Sequence, residues 1–178
     1  MRETEAEKPD GRRLRGQENR RRIVEALIDL IGKGDVTPTA ERVAAAANVG
    51  LRTVFRHFED MDSLYREITV HMETVILPVT EAPLRATDWR EQLVELVDRR
   101  ARLFDRILPY RIAGDVHRHE SSFLRRNIAH FVGMQRQAIV AVLPANLASD
   151  RALVAALDLV MSVDGWRRLR LEQKLSFA

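Results

Sequence analysis

The chain has 178 residues, of which 46% are hydrophobic and 6% aromatic, and it contains no cysteine. The absence of cysteine excludes disulfide scaffolds and thiolate metal sites. A formal net charge of +3 is only mildly basic, so the total charge does not by itself indicate an anionic partner.

Residues 1–18 are predicted to form a flexible basic arm. The run GRRLRGQENRRR holds six arginines and one glutamate just before the first apolar pattern. Two interpretations stay open, a solvated tail and an arm that enters the minor groove of DNA. The segment has no apolar core typical of a signal peptide, and no apolar run reaches the roughly 18 residues of a membrane span. We therefore expect a cytoplasmic protein without membrane contact.

Helical spacing of apolar residues predicts an all-α fold that begins with four helices. The first is expected to stop at the glycines of residues 32–34. Thr37 or Thr39 can cap the second, and Asn48 stands where a left-handed residue would end it. The fourth is expected to end before Pro78, because proline interrupts helical hydrogen bonding.

The rest of the chain shows further helical patterns and no convincing strand. Proline again marks expected helix ends, and residues 110–119 are expected to be a short separate segment. Serine and aspartate stand at expected starts, as is typical of N-caps. The predicted helices are 88–109, 121 or 122 to 144, 149–162 and 164–175.

The second and third helices, joined by a short turn, have the frame of a helix-turn-helix. Four alanines allow the second helix to approach the third closely. Val54 and Phe58 are expected to face inward, with Val49 in the turn, so the other side of the third helix could meet a major groove. There, arginine pairs with guanine, leucine contacts a thymine methyl and threonine binds phosphate. The candidate DNA-contacting residues are Thr39, Gly50, Leu51, Arg52, Thr53, Phe55, Arg56 and His57.

Two other classes of function compete with DNA binding. An outward Phe55 argues against an ordinary exposed helix, because an isolated surface helix gains nothing from that ring. A helical adaptor that binds only protein is the stronger rival, and it predicts no salt-dependent DNA affinity and no loss of function when Arg52 is changed. An enzyme would need a catalytic constellation. The chain has no Gly-x-Ser-x-Gly elbow, phosphate loop or His-Glu-x-x-His motif, so we expect no enzymatic activity.

The stretch TAERVAAAANVGLRTVFRHFEDMDSLYREI resembles the N-terminal DNA-binding domain of the TetR family of transcriptional regulators. The resemblance spans roughly residues 20–70. It implies a DNA-binding domain over residues 19–66, followed by a ligand-binding and dimerisation domain over residues 67–178. The matching positions are Val43-Ala44, Asn48-Val49-Gly50, Thr53-Val54-Phe55-Arg56-His57-Phe58 and Ser63-Leu64.

Four positions depart from the family's pattern. Asn48 replaces the usual turn glycine, and Gly50 replaces a capping serine whose hydroxyl would contact phosphate. Phe55 replaces a tyrosine, and Met61 replaces a lysine. These changes weaken the expected phosphate contacts, for which the arginine-rich arm could compensate.

The resemblance implies a repressor that leaves a palindromic double-stranded DNA operator when a small-molecule effector binds. It also implies a homodimer formed through the last two helices, although their apolar stripe could instead close the monomer core. The stripe comprises Leu153, Leu157, Val160, Met161, Trp166, Leu169 and Leu175. The candidate effector-lining residues, each of which could also be plain core or surface, are Arg102, Phe104, Tyr110, His117, Phe131 and Met134. Arg102 or His117 would hold an anionic group.

The segment DVHRHE raises the possibility of a metal site. On a helix, Asp115 with His119, or His117 with Glu120, share a face. A third ligand such as His71 or His130 would have to come from elsewhere. Isolated histidines near a helix end are usually solvated, so we expect no metal and no cofactor.

Overall fold

The computed structural model describes residues 11–176, except for the side chain of Arg12. It divides the chain into two compact units at Ile68 and Thr69, inside the fourth helix. The described residues are mostly helical and include no strand, which confirms the predicted all-α class. The α-helices are α1 Gly11–Gly32, α2 Ala40–Ala46, α3 Leu51–His57, α4 Met61–Thr80, α5 Trp89–His117, α6 Ser122–Val142, α7 Ala145–Ala148, α8 Arg151–Val160 and α9 Val163–Arg167, followed by a π-helical turn, Arg168–Glu172.

The N-terminal unit packs α1, α2, α3 and the start of α4 around one apolar core. Burying an aliphatic side chain contributes about 1.5–3 kcal/mol, so this core holds the short α2 and α3 in place although neither would persist alone. The core side chains are Ile23, Leu27, Ile31, Val43, Ala44, Val54, Phe58, Leu64 and Ile68.

Local capping chemistry sets the ends of these helices. Of the two threonines considered, Thr39 is the N-cap of α2. Asn48 has φ of 51° and so takes the predicted left-handed conformation after α2. The start of α4 is held reciprocally, because Asp60 Oδ1 accepts from the Ser63 amide at 2.7 Å and Ser63 Oγ accepts from the Asp60 amide at 3.4 Å.

The prediction of an irregular arm over residues 1–18 is wrong from Gly11 onward, where α1 begins. Residues 1–10 lie outside the described part of the chain. Arginine, glutamate and glutamine are good helix formers. Arg21 also pairs along the helix with Glu18 at 2.7 Å and with Glu25 at 2.6 Å, which supports helix beyond the apolar pattern.

Two prolines predicted to end helices lie inside them instead. Pro78 is followed by two more residues of α4, and α5 runs through Pro109 to His117. The predicted separate segment 110–119 is therefore mostly helix. Proline removes one hydrogen bond, but Leu108 and Ala113, before and after Pro109, are both buried, so packing stabilises the helix on both sides of the proline.

The final helices are shorter than predicted. Asp150 accepts from the amides of Ala152 and Leu153, both at 3.0 Å, and α8 therefore begins only at Arg151. Ser162 caps α9, which has five residues before the π-helical turn.

The C-terminal unit packs α5 and α6 against α8 and α9. Its buried apolar residues form two clusters. The first comprises Leu103, Phe104, Ile107, Leu108, Phe131 and Val163, and the second comprises Leu96, Ile139, Leu143, Val154 and Met161. Within residues 11–176, no helix combines the length and the apolar composition needed to cross a bilayer.

Candidate nucleic-acid interface and ligand cavity

The recognition face of α3, defined as Leu51, Arg52, Phe55 and Arg56, is exposed. The Leu51 side chain is 37% exposed and the Phe55 side chain 51% exposed, with the two arginines beside them. Val54 and Phe58 are buried as predicted and Val49 is partly buried, so the helix cannot rotate to hide its outer face. The face therefore offers apolar surface and positive charge together.

The N-terminal end of α3 is open to an approaching group. Gly50 is the N-cap and offers no side-chain hydrogen bond, and a Cβ built there would meet nothing within 4 Å. The first helical hydrogen bond runs from the Thr53 amide to the Gly50 carbonyl at 2.8 Å. The backbone amides of Leu51 and Arg52 lie before this first bond, so they have no helical partner and can donate to a phosphate oxygen.

Arg20 of α1 stabilises the C-terminal end of α3 through hydrogen bonds. Its Nη1 donates to the His57 carbonyl at 2.9 Å, and its Nη2 donates to Glu67 Oε1 at 2.6 Å. The guanidinium also lies 4.5 Å from the centre of the Phe58 ring. This one side chain therefore ties α1, α3 and α4 together.

Arg22 stabilises the turn between α2 and α3 through hydrogen bonds. Its Nη2 donates to the Ala47 carbonyl and, at 3.3 Å, to the Asn48 carbonyl. Two of the six arginines in the run GRRLRGQENRRR thus stabilise α3 and the turn before it. Sequence reasoning missed these roles, because both partners lie more than twenty residues away.

His57 lies at the edge of the recognition face and is partly buried. Its Nε2 is enclosed and hydrogen-bonds to no described residue. Burial lowers the pKa of His57, and the positive charges of Arg56 and Arg20 lower it further. The imidazole is therefore neutral at neutral pH and adds no charge to the recognition face. Thr39, at the start of α2, is exposed and uses its hydroxyl to accept from the Arg42 amide at 3.4 Å.

Two further arginines lie near this surface at the start of α1. A Cβ on Gly16 would be 3.9 Å from His57 Cε1, so this end of α1 contacts the end of α3. Arg13 is one turn earlier, and both it and Arg15 are exposed. Neither forms an ion pair with a residue in the described range, so both side chains can contribute positive charge.

The C-terminal unit contains a cavity of about 200 Å³ between the end of α4, α5 and α6. Its apolar lining includes Val79, Leu96, Leu103, Met134 and Ala138, and its polar lining includes Thr80, Glu81, Arg99, Arg100, Gln135 and Gln137. Of the six residues proposed from the sequence to line an effector site, Met134 lines this cavity.

The other five lie elsewhere in the unit. Arg102 is exposed, pairs with Asp98 one turn before it and does not line this cavity. It stands two residues from Arg100, and residues at that spacing do not share a helix face. Phe104 and Phe131 belong to the first apolar cluster, while Tyr110 and His117 are partly buried farther along α5.

Sequence reasoning missed the polar lining residues, of which Arg100 is a buried one. It is only 6% exposed, and it donates through Nη1 to the Met161 carbonyl at 3.1 Å and through Nη2 to the Gln135 carbonyl. Burial lowers its pKa to about 10, although Asp158 acts in the opposite direction. The sequence did contain a sign that Arg100 is buried, because position 100 lies on the same helix face as the apolar residues Leu96, Leu103 and Phe104.

No three potential metal ligands come together within the described residues. The carboxylate of Asp115, one of the candidates, pairs instead with Arg111 at 3.6 Å and Arg118 at 3.4 Å.

The predicted dimerisation stripe is divided between two faces of α8. Met161 is buried and Leu153 and Leu157 are partly buried, so these residues serve the monomer core. Val160 is 71% exposed and Leu159 is 69% exposed. The exposed apolar face of α8 comprises Ala152, Ala155, Ala156, Leu159 and Val160, a set with regular helical spacing.

Comparison of the chain with protein-family models, with curated proteins and with solved structures found no match in any of the three.

Proposed function

We propose that the chain is a ligand-responsive, sequence-specific DNA-binding regulator of the TetR type that acts as a repressor. The observation that carries the proposal is the recognition face of α3. Phe55 is exposed there between Arg52 and Arg56, on a helix whose opposite side is locked into a core. DNA-binding helices of this kind enter the major groove and read base edges from their N-terminal turns.

The residues of the recognition face divide into two roles. Arg52 lies in the first turn of α3, where a guanidinium can make a bidentate pair with guanine. Arg56 lies one turn later and is assigned to the phosphate backbone, together with Arg13 and Arg15 at the start of α1. Phe55 packs on sugar, and Leu51 contacts a thymine methyl.

The clamps made by Arg20 and Arg22 support this assignment. They hold the C-terminal end of α3 and the turn before this helix in place before DNA binds. A preformed recognition element loses less conformational entropy on binding, which leaves more of the contact energy for affinity.

One helix-turn-helix module covers too little DNA for tight specific binding, so we propose a homodimer. The exposed apolar face of α8 supports it, because contiguous apolar surface is typical of protein interfaces. Two copies of α3 would then read half-sites of a palindrome about 34–36 Å apart.

Ligand response is assigned to α4. This helix is continuous from Met61, just after α3, to Thr80, which lines the cavity. A ligand that prefers one position of α4 by a few kcal/mol is sufficient to shift the population away from the DNA-binding state.

The test is selection of bound duplexes from a random pool, followed by titration of the best site at two salt concentrations. A palindromic motif whose affinity falls steeply with salt is expected. No enriched motif from intact protein, even after unfolding and refolding to strip a bound ligand, would favour the protein-binding adaptor.

Variants then test the assigned residues. Arg52→Ala should cost about 1–3 kcal/mol of DNA-binding free energy and relax specificity at one base position. Arg56→Ala should weaken binding to all DNA sequences evenly and reduce the slope of log affinity against log salt concentration by about one. Arg102→Ala, an exposed arginine of the other unit, is the control. If both α3 variants bound the selected operator like the parent, the assignment would be wrong.

A further inference from the structure

The cavity between α4, α5 and α6 has the size of a small ring compound. A cavity of about 150 Å³ holds benzene, so the volume of about 200 Å³ here leaves room for a ring and one small polar group. Most of its walls are apolar, with Leu96, Leu103 and Ala138 from α5 and α6. The occupant is therefore expected to be mainly apolar.

The cavity wall also contains a buried positive charge without a bonded carboxylate. Arg100 has two backbone carbonyl partners, and no carboxylate in the described residues lies within ion-pair distance of it. Asp158 acts on it only from farther away, and its Oδ2 lies 3.8 Å from Arg136. A guanidinium has five N–H donors, so donors remain. A buried charge is costly unless it is paired, and an anion in the cavity would supply the missing charge.

A second buried donor lines the same cavity. Gln135 is 6% exposed, and its Nε2 makes no hydrogen bond within the described structure. A buried donor left without an acceptor is energetically unfavourable. Gln135 and Arg100 both line the cavity, so an occupant with acceptor oxygens can supply partners to both.

The other polar lining residues are already engaged or lie in water. The Thr80 hydroxyl donates to the Ile76 carbonyl at 3.1 Å. Arg99 pairs with Glu95 at 3.0 Å and donates to the backbone carbonyls of Val79 and Pro83. Glu81 is exposed, so water and salt screen its charge.

We propose that this cavity binds a small monoanionic carboxylic acid with an apolar body about the size of benzoate. The carboxylate accepts from Arg100 and Gln135, and the body lies against Leu96, Leu103 and Ala138. Binding needs no DNA, whereas the role of the acid as the effector rests on the proposed regulatory function.

The test is calorimetric titration of the full chain, without DNA, with benzoate and hexanoate and with their neutral amides. Each carboxylate should bind at one site per chain, at least about tenfold more tightly than its amide, because hydrogen bonds to charged groups are the stronger ones. Equal affinity of acid and amide, or no binding of any of the four probes, would overturn the proposal.

Four variants test the location of the site. Ala138→Phe fills the cavity and should abolish binding of both acids. Gln135→Leu removes the unpartnered amide, keeps the backbone carbonyl that Arg100 uses, and should weaken benzoate about fivefold or more. Arg102→Met, on the same helix outside the cavity, should bind like the parent. Arg100→Met should also lose binding, but the hydrogen bonds from Arg100 to backbone carbonyls stabilise the fold. The location of the site is therefore judged from Ala138→Phe and Gln135→Leu. Undiminished binding in a folded Ala138→Phe protein would place the acid elsewhere.

A last measurement separates the two proposals. Operator affinity of the parent is measured with benzoate, with benzamide and with neither. If benzoate binds the cavity and leaves operator affinity unchanged, the proposal of an anion site is confirmed and the proposal that the acid is the effector is wrong. If the protein binds no DNA, the calorimetric result still decides the anion site.

Discussion

At the residue scale, the surroundings of each arginine determine its role. Arg20 and Arg22 lie against helix ends and donate to carbonyls, and they stabilise the turn that positions α3. Arg52 has no such partner among the described residues and remains exposed. Arg100 is buried at the cavity wall. The same guanidinium chemistry thus serves structure, proposed DNA contact and proposed anion binding.

His57 should make the stability of the fold depend on pH. Burial lowers its pKa below the ordinary value of 6.5, so the unfolded chain takes up a proton more readily than the folded one. The contribution of neutral His57 to stability is complete above about pH 6.5 and is lost as the pH falls through the lower folded value. Urea unfolding at pH 7.5 and pH 5.5 should therefore show lower stability at the acid pH.

The variant His57→Gln, neutral at both pH values, should show a smaller drop in stability. His119→Asn, which changes an exposed histidine, should keep the drop of the parent. An identical pH dependence in the parent and in His57→Gln would rule out His57 as its source.

At the element scale, helix boundaries follow caps and close contacts more than proline positions. Thr39, Asp88, Ser121 and Asp150 each accept a backbone amide at the start of a helix. Pro109, in contrast, lies inside α5. Caps act on neighbouring residues and are readable from sequence, whereas tolerance of a proline depends on the packing of the whole helix.

Gly165 shows how closely α9 approaches the end of α8. A Cβ at this position would lie 2.8 Å from the Val160 carbonyl oxygen and 3.0 Å from that of Leu159. Because both atoms belong to the backbone, Gly165→Ala must displace a helix and should cost about 1–3 kcal/mol. Denaturant unfolding followed by tryptophan fluorescence measures this, since both tryptophans lie in the C-terminal unit.

Gly114→Ala is the matched control. It lies in α5, a Cβ there would meet nothing within 4 Å, and alanine should stabilise the helix by up to about 1 kcal/mol. If the two variants had the same stability, the close approach at Gly165 would not be restrictive.

At the scale of the whole molecule, the proposed function requires two copies of the chain. The exposed apolar face of α8 is the surface assigned to this contact. Leu159→Glu places a charge in it and should shift sedimentation equilibrium from dimer to monomer and weaken operator binding. Burying an unpaired charge in an interface is strongly unfavourable.

Val94→Glu is the control for dimerisation, because Val94 in α5 is 69% exposed, the same as Leu159. It should remain dimeric. A dimer that survives Leu159→Glu, or a parent that is monomeric at micromolar concentration, would exclude this face as the interface.

The sequence by itself determined what depends on neighbouring residues. Apolar periodicity indicated the all-α class and the inward side of α3 at Val54 and Phe58. Local backbone chemistry indicated the left-handed Asn48 and a serine cap at Ser121 or Ser122, of which Ser121 is the N-cap. These features arise within one or two helical turns, and the recognition-face residues were placed correctly on the exposed side for that reason.

Only the tertiary structure decided what depends on residues distant in the chain. Arg20 meets a carbonyl 37 residues away, and Arg100 meets one 61 residues away. Local patterns could not show the carbonyl partners of Arg20, Arg22 or Arg100. The tertiary structure also determined which side of α8 is exposed. Most residues of α8 are apolar, so only packing against α6 and α9 selects the buried face.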